Sequence, residues 1–275
     1  MRYLPKDDAP FADSIWDAIE KTVLGTAQSQ LAGRKLLEMT GPVGLGVRVL
    51  ENAEATVDTA VSHGSAEASL SAAQAHPIPL LRASFSVSVR DVAAAQERGV
   101  HLELRGAVDA ALAVARLEEQ LVFEGDKKLG LPGLLNASGV GKSKVGDWSK
   151  VGQAADDFIA AVNVLDAAGF PGPYAAALAP PLYNSLLLRY QQGQLTQLQH
   201  AEQIITAGIV KAPMLKSGGV VLAAGREFAT LVVGQDMMVG FVGPAGMEYE
   251  FVVCESLAPR VLVPQAVCVL QPSAK

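Results

Sequence analysis

From Gly41 to Pro79 the chain loses the regular patterning that builds a compact core. This stretch constrains the fold more than any other. It carries Gly41, Pro42, Gly44, Gly46, Gly64, Pro77 and Pro79 and few aromatics. A connection of this length is uncommon inside a compact domain unless it is functional or reaches out to a neighbour. It reads as two extended arms joined by a flexible tip around Ser62–Ser71. The composition points the same way. Half the residues are hydrophobic, only 5% are aromatic, and the mean hydropathy is +0.26. Small apolar residues suit close packing, and that hydropathy implies apolar surface covered by partners.

The remaining chain alternates helices and strands. Ile15, Ile19, Val23, Ala27 and Leu31 recur every four residues and predict a terminal helix over about 14–31, docked by one face. Asp13 or Ser14 can cap it and Gly33 can end it. A strand is predicted over 80–89. The clearest helix follows at 108–123, with Val108, Leu112, Ala115 and Val122 inward, Glu118 and Glu119 outward, and Gly125 at its end. Residues 126–152 read as a Gly- and Lys-rich loop. Further helices are predicted at 153–168, 181–190 and 195–207. Strands are predicted at 174–178, 220–223, 228–233, 238–242, 249–253, 260–263 and 266–270. There is no regular βαβ repeat, so the fold class is α+β.

Several kinds of chemistry are excluded. The net charge of −6 gives no bulk reason to bind nucleic acid. Residues 1–10 hold charges and no apolar segment, so no secretory leader is expected, and no apolar run approaches a membrane span. Cys254 and Cys268 sit in apolar strands and read as buried thiols of a cytoplasmic protein. His63, His76, His101 and His200 are scattered, so no metal site is expected. Asn136–Ser143 imitates a phosphate loop, but the motif needs glycine at position 136, where backbone amides must cradle phosphate. Glu118–Glu119 and Asp156–Asp157 read as solvated pairs, not acid–base pairs.

A set of segments, in order along the chain, carries a resemblance. It begins with Leu31-Ala32-Gly33-Arg34-Lys35 and Gly41-Pro42. Glu118-Glu119, Phe123-Glu124-Gly125 and Gly130 to Leu134 follow, then Gly172-Pro173-Tyr174 with Leu182-Tyr183. Gly225 to Phe228, Gly234-Gln235-Asp236 and Glu255-Ser256 to Arg260 close it. Together these resemble encapsulins, the shell proteins of bacterial nanocompartments, along nearly the whole chain. The resemblance implies the α+β fold of tailed-bacteriophage major capsid proteins. A peripheral domain would comprise 1–41, 80–126 and 226–275, with the N-terminal helix and a spine helix. An extended loop would span 42–79 and an axial domain 127–225.

The resemblance also implies function. The chain would be no enzyme and would need no cofactor. It would self-assemble in the cytoplasm into an icosahedral shell of about sixty copies or a larger icosahedral multiple. Its cargo would be an enzyme with a C-terminal targeting peptide, a dye-decolourising peroxidase or a ferritin-like protein, with no nucleic acid and no membrane as partner. By position, the peptide would dock at Val23, Ala27, Gln30, Leu31, Arg34 and Glu38, with Leu231, Val233 and Asp236. Arg34 would anchor it and the helix stripe would receive its apolar side chains. Tyr190, Gln191, Gln192, Gly193 and Gln194 would line a five-fold pore. Some relatives bind flavin through an aromatic residue after the strand equivalent to 84–89; Arg90 stands here, so no flavin is expected. Two rivals remain open: a prophage capsid protein that packages DNA, and a soluble enzyme that binds nucleotide at Gly141-Lys142-Ser143.

Overall fold

The computed structural model describes residues 9–63, 65–190 and 195–272. The chain opens with α1 (Asp13–Gln28), α2 (Gly33–Leu36), β1 (Glu38–Thr40), β2 (Val49–His63), β3 (Ala66–Pro77) and β4 (Leu80–Ser88). Next come α3 (Val89–Arg98), α4 (Arg105–Glu124), β5 (Gly125–Asp126), β6 (Leu131–Pro132), β7 (Gly141–Val145) and α5 (Gln153–Ala167). The rest is β8 (Tyr174–Leu178), α6 (Pro180–Ser185), α7 (Gln197–Ile204), β9 (Ile209–Lys211), β10 (Gly219–Ala223), β11 (Ala229–Ala245), β12 (Glu248–Val261) and β13 (Val267–Pro272). Two mixed sheets organise it, in the orders β1-β11-β12-β4 and β7-β13-β10-β8-β9. Mixed sheets with helices and no βαβ repeat make the class α+β, as the sequence predicts.

The first sheet is covered by α1 and α4. The four-residue stripe of α1 is buried along its length, Leu31 just beyond the helix included. It packs among Ala107, Ala111, Val114, Phe251 and Val253. Alanines on α4 let the two helices approach closely. Burying Ile15, Ile19 and Val23 contributes about 1.5–3 kcal/mol each by transfer bookkeeping. The helix starts and stops differently from the sequence reading. Ala12 is its N-cap residue, with Asp13 in the first turn, and it ends at Ser29. Gly33 begins α2 instead, and it is glycine for close packing, since a Cβ there would meet the Val122 and Glu119 side chains at 2.9–3.1 Å.

The second sheet has a hydrophobic cluster on each face. Strands β8 and β10 are buried from end to end. One face meets α5 and α7 through Phe158, Leu165, Ala201 and Ile205. The other holds Phe123, Leu134, Leu222 and Leu257, which link this sheet to the first.

Several expectations are corrected. Helix α4 runs a turn longer than predicted, and Glu118 and Glu119 lie inside the protein (0% and 2% exposed), not outward. Asp157 is also buried; it accepts hydrogen bonds from Trp148 Nε1 (2.7 Å) and Gly146 N–H (2.7 Å). The stretch 126–152 is no plain loop, since β7 pairs in parallel with β13. Strand β13 therefore lies in the second sheet, so the terminal strands do not all return to the first. Two pairs of predicted strands fuse into the long β11 and β12. Register shifts at Val233/Gln235, Gln235/Met238 and Phe241/Gly243 break their alternation and disguise their continuity. Helix α3 was not predicted, although Ser88 caps it by accepting from Arg90 N–H and Gly99 ends it at φ 66°.

Candidate functional site

Two features stand out from the body of the fold. The first is the arm. Strands β2 and β3 pair with each other, from Val49↔Pro77 to His63↔Ala66, and join no other strand among the described residues. The flexible tip expected around Ser62–Ser71 is corrected: Ser62, His63 and residues 66–71 are paired strand, and the ladder reaches His63↔Ala66. The arm is rooted at its base. Val43 N–H donates to Val233 O (2.9 Å), Gly44 N–H to Gly234 O (2.7 Å), and Ile78 N–H to Arg48 O (2.8 Å). Gly41, at φ 123°, has to be glycine, because a Cβ would run into the Val233 carbonyl. Beyond the root, Val61 and Leu70 are 66% and 61% exposed. A lone two-stranded ribbon is marginal in water. Its outer edges offer unpaired backbone groups for strand addition.

The second feature is a buried acid cluster around Arg34. Its Nε and Nη2 fork onto Glu118 at 2.8 and 2.9 Å. Nη2 also reaches Glu255 (2.7 Å) and Nη1 reaches Asp236 (2.6 Å). Beside it, Gly33 N–H donates to Glu119 Oε1 at 2.7 Å. Glu118 and Glu255 are 0% exposed. Helices α2 and α4 and strands β11 and β12 meet here. The apolar signal of the sequence hid this seam, because paired acids on a helix usually face water.

Charges in so dry a place shift one another. Burial tends to lower the Arg34 affinity for its proton, but the Glu118 hydrogen bonds and charge outweigh this and hold the guanidinium firmly charged. Burial pushes Glu119 up to about 7, with the neighbouring Glu118 adding and the Gly33 hydrogen bond opposing. Glu255 is raised further, by burial first and then by Glu118, against the pull of Arg34. Glu119 Oε2 and Glu255 Oε1 are buried with no hydrogen-bond partner among the described residues.

The nine docking positions divide by burial. Val23, Ala27, Leu31, Leu231 and Val233 are all buried in the chain's own cores. The stripe expected to receive a peptide is packed against α4. Arg34 is committed to the acid cluster, with 14% of its side chain exposed. Gln30 is half-buried, while Glu38 and Asp236 are exposed. The parallel pairing of β1 with β11 sets Glu38 opposite Thr230 and Met39 opposite Leu231, and farther along β11 Arg34 meets Asp236. What the nine positions present to solvent is a polar rim of Gln30, Arg34, Glu38 and Asp236.

Of the pore residues, Tyr190 is half-buried and its hydroxyl meets His200 Nδ1 at 2.7 Å. Gln191, Gln192, Gly193 and Gln194 lie outside the described residues. The imitation phosphate loop is built into other structure. Gly141–Val145 is edge strand β7, paired in parallel with β13. Asn136 caps the local turn by accepting from Gly133 N–H at 3.0 Å. The next helix, α5, begins only at Gln153. Both thiols are buried and unbridged, and burial raises each. No helix among the described residues is long and apolar enough to cross a membrane.

A family model described as encapsulating protein for peroxidase matches residues 1–258. The chain is 30% identical to the type 1 encapsulin shell protein of Myxococcus xanthus, over 98% of this chain and 96% of that protein. Its fold is similar to a virus-like particle from Pyrococcus furiosus, with TM-score 0.72 and 22% identity over 94% of this chain and 99% of that one. It is also similar to the capsid of the myovirus phage XM1, with TM-score 0.63 and 13% identity over 86% and 90%.

Proposed function

The chain belongs to the encapsulin family of shell proteins, and from that premise we propose that its copies close into an icosahedral compartment that loads enzymes as cargo. The capsid-like fold belongs to a structural subunit, not an enzyme. One observation carries the assembly reading: the β2–β3 arm is a long ribbon with exposed apolar side chains at Val61 and Leu70 and no partner strand in its own described fold. Its edges are completed by a neighbouring copy through strand addition. Heterologous contacts of this kind close only under rotational symmetry. The expected closure is about sixty copies or a larger icosahedral multiple.

The family's description names peroxidase, which supports a dye-decolourising peroxidase as cargo; a ferritin-like protein is the second choice. The cargo's C-terminal tail docks on the inner face, along the rim of Gln30, Arg34, Glu38 and Asp236. The apolar residues beneath act as its floor through packing, not through open contact. A short tail that must order on binding gives modest affinity per site, and loading relies on many sites at once. Residues 190–194, polar and mostly uncharged in sequence, line a pore of weak selectivity. Residues 42–79 form the extended loop, and 127–225 together with β13 form the axial unit.

Co-expression with a tagged peroxidase tests the dock. Glu38→Lys reverses an exposed charge on the rim without touching the core. Intact shells with much lower cargo occupancy are expected. Wild-type occupancy in that variant would place the dock elsewhere.

A further inference from the structure

We infer that the acid cluster at Arg34 stores a proton at neutral pH and that losing it on the alkaline side loosens the seam where α2 meets β11 and β12. The charge count requires this. Arg34 supplies one positive charge, while Glu118, Glu255 and Asp236 all contact it within 2.6–2.9 Å. Fully ionised, the group would carry two uncompensated negative charges, and only Asp236, 60% exposed, lets water share them. Glu118 and Glu255 are fully buried, where an unshared charge is costly. The Glu255 Oε1 that makes no hydrogen bond to the described residues is where a proton can sit.

The groups facing the cluster are accounted for from each element. From α2 come Arg34 and Lys35, and from α4 Glu118 and Glu119. From β11 comes Asp236, from β12 Glu255 and its neighbour Cys254, and β4 offers the apolar Leu81 opposite Glu255. Around Glu119, Arg116 and Lys216 line a small cavity of about 220 Å³ with Gln30, Pro213 and Met214. Lys35 and the Gly33 amide favour the ionised Glu119, but burial and Glu118 oppose them more strongly.

The sign follows from linkage. Both acids bind protons more tightly in the closed seam than in an opened, solvated one. The closed state therefore holds the advantage at low pH. It loses that advantage as pH rises from the ordinary carboxylate range through about 7 for Glu119, and higher for Glu255. The seam feeds β1, whose continuation through Gly41 and Val43 roots the arm on β11. Any effect on shell closure rests on the arm's proposed role, whereas the seam itself can be tested without it.

Assembled wild-type protein and the variants Glu255→Gln and Glu119→Gln are compared by infrared spectroscopy and by hydrogen exchange. At pH 7 a protonated-carboxyl band is expected in wild type, weakened in the Glu255→Gln protein and gone by alkaline titration. After correction for intrinsic rates, protection of peptides covering 29–44 should fall by up to about tenfold per pH unit for each proton released. Both variants should flatten that slope. A neutral-pH spectrum without a carboxyl band that these substitutions diminish overturns the inference, as does an exchange slope unchanged in both variants. Should a variant fail to assemble, the wild-type band and its alkaline loss decide the matter alone. Particles that stay closed while the seam loosens would instead count against the arm's role.

Discussion

Arg34→Ala removes the one cation of the buried cluster and leaves Glu118 and Glu255, both fully buried, facing each other. The contact with exposed Asp236 contributes little, about 0–1 kcal/mol. The cost lies with Glu118, which loses a two-pronged charge-assisted contact of 2.8 and 2.9 Å. Truncating one partner of a buried pair typically costs about 3–5 kcal/mol. An independent limit comes from the escape route. A stranded carboxylate can take up a proton, which at pH 7 costs about 1.36 kcal/mol for each unit separating pH 7 from an ordinary Glu, or about 3.7 kcal/mol. The two figures agree at about 3–4 kcal/mol. At pH 5 the proton uptake costs only about 1 kcal/mol, so the deficit should shrink with acidity. For a chain of this size, about 3–4 kcal/mol lowers the thermal midpoint by roughly 6–16 °C. Thermal unfolding of wild-type and variant particles at equal subunit concentration, at pH 5, 6 and 7, measures this. A drop of under about 2 °C at pH 7, or one of equal size at pH 5, refutes the reasoning.

Three further outcomes are expected. Deleting 55–72 from the arm should abolish closed particles while circular dichroism still shows the helices; normal particles would contradict the arm's role. Ile19→Ala, at a side chain with no exposure in the α1–α4 core, should cost about 2–5 kcal/mol in denaturant unfolding. Calorimetry with ATP and magnesium should show no binding at the loop around Lys142, and a saturable signal lost in Lys142→Ala would reverse that reading.

Much of the architecture was legible because it rests on periodicity. The stripe from Ile15 to Leu31 forced α1, and the apolar run of Tyr174–Leu178 gave β8 its bounds. The punctuated stretch from Gly41 to Pro79 marked the arm, though not that its two strands pair with each other from Val49↔Pro77 to His63↔Ala66. The seam was not legible. Glu118 and Glu119 look solvated on a helix, and only tertiary structure brings Arg34, Asp236 and Glu255 from distant segments to meet them. The same contact changes the reading of Arg34, which serves the fold first and is a poor probe of cargo binding. Ala27 is likewise core; a charged substitution there would unfold the domain before it told anything about docking. Strands β11 and β12 were broken in the sequence because their irregular registers hide the alternation that reveals strands.

The central claim is that this chain alone builds a closed shell through its arm. Electron microscopy of the protein expressed without other components tests it most directly. The account predicts hollow particles of icosahedral symmetry in which β2 or β3 pairs with a strand of a neighbouring copy. A stable monomer or dimer at micromolar concentration, or closed particles whose arms touch no neighbour, would contradict it.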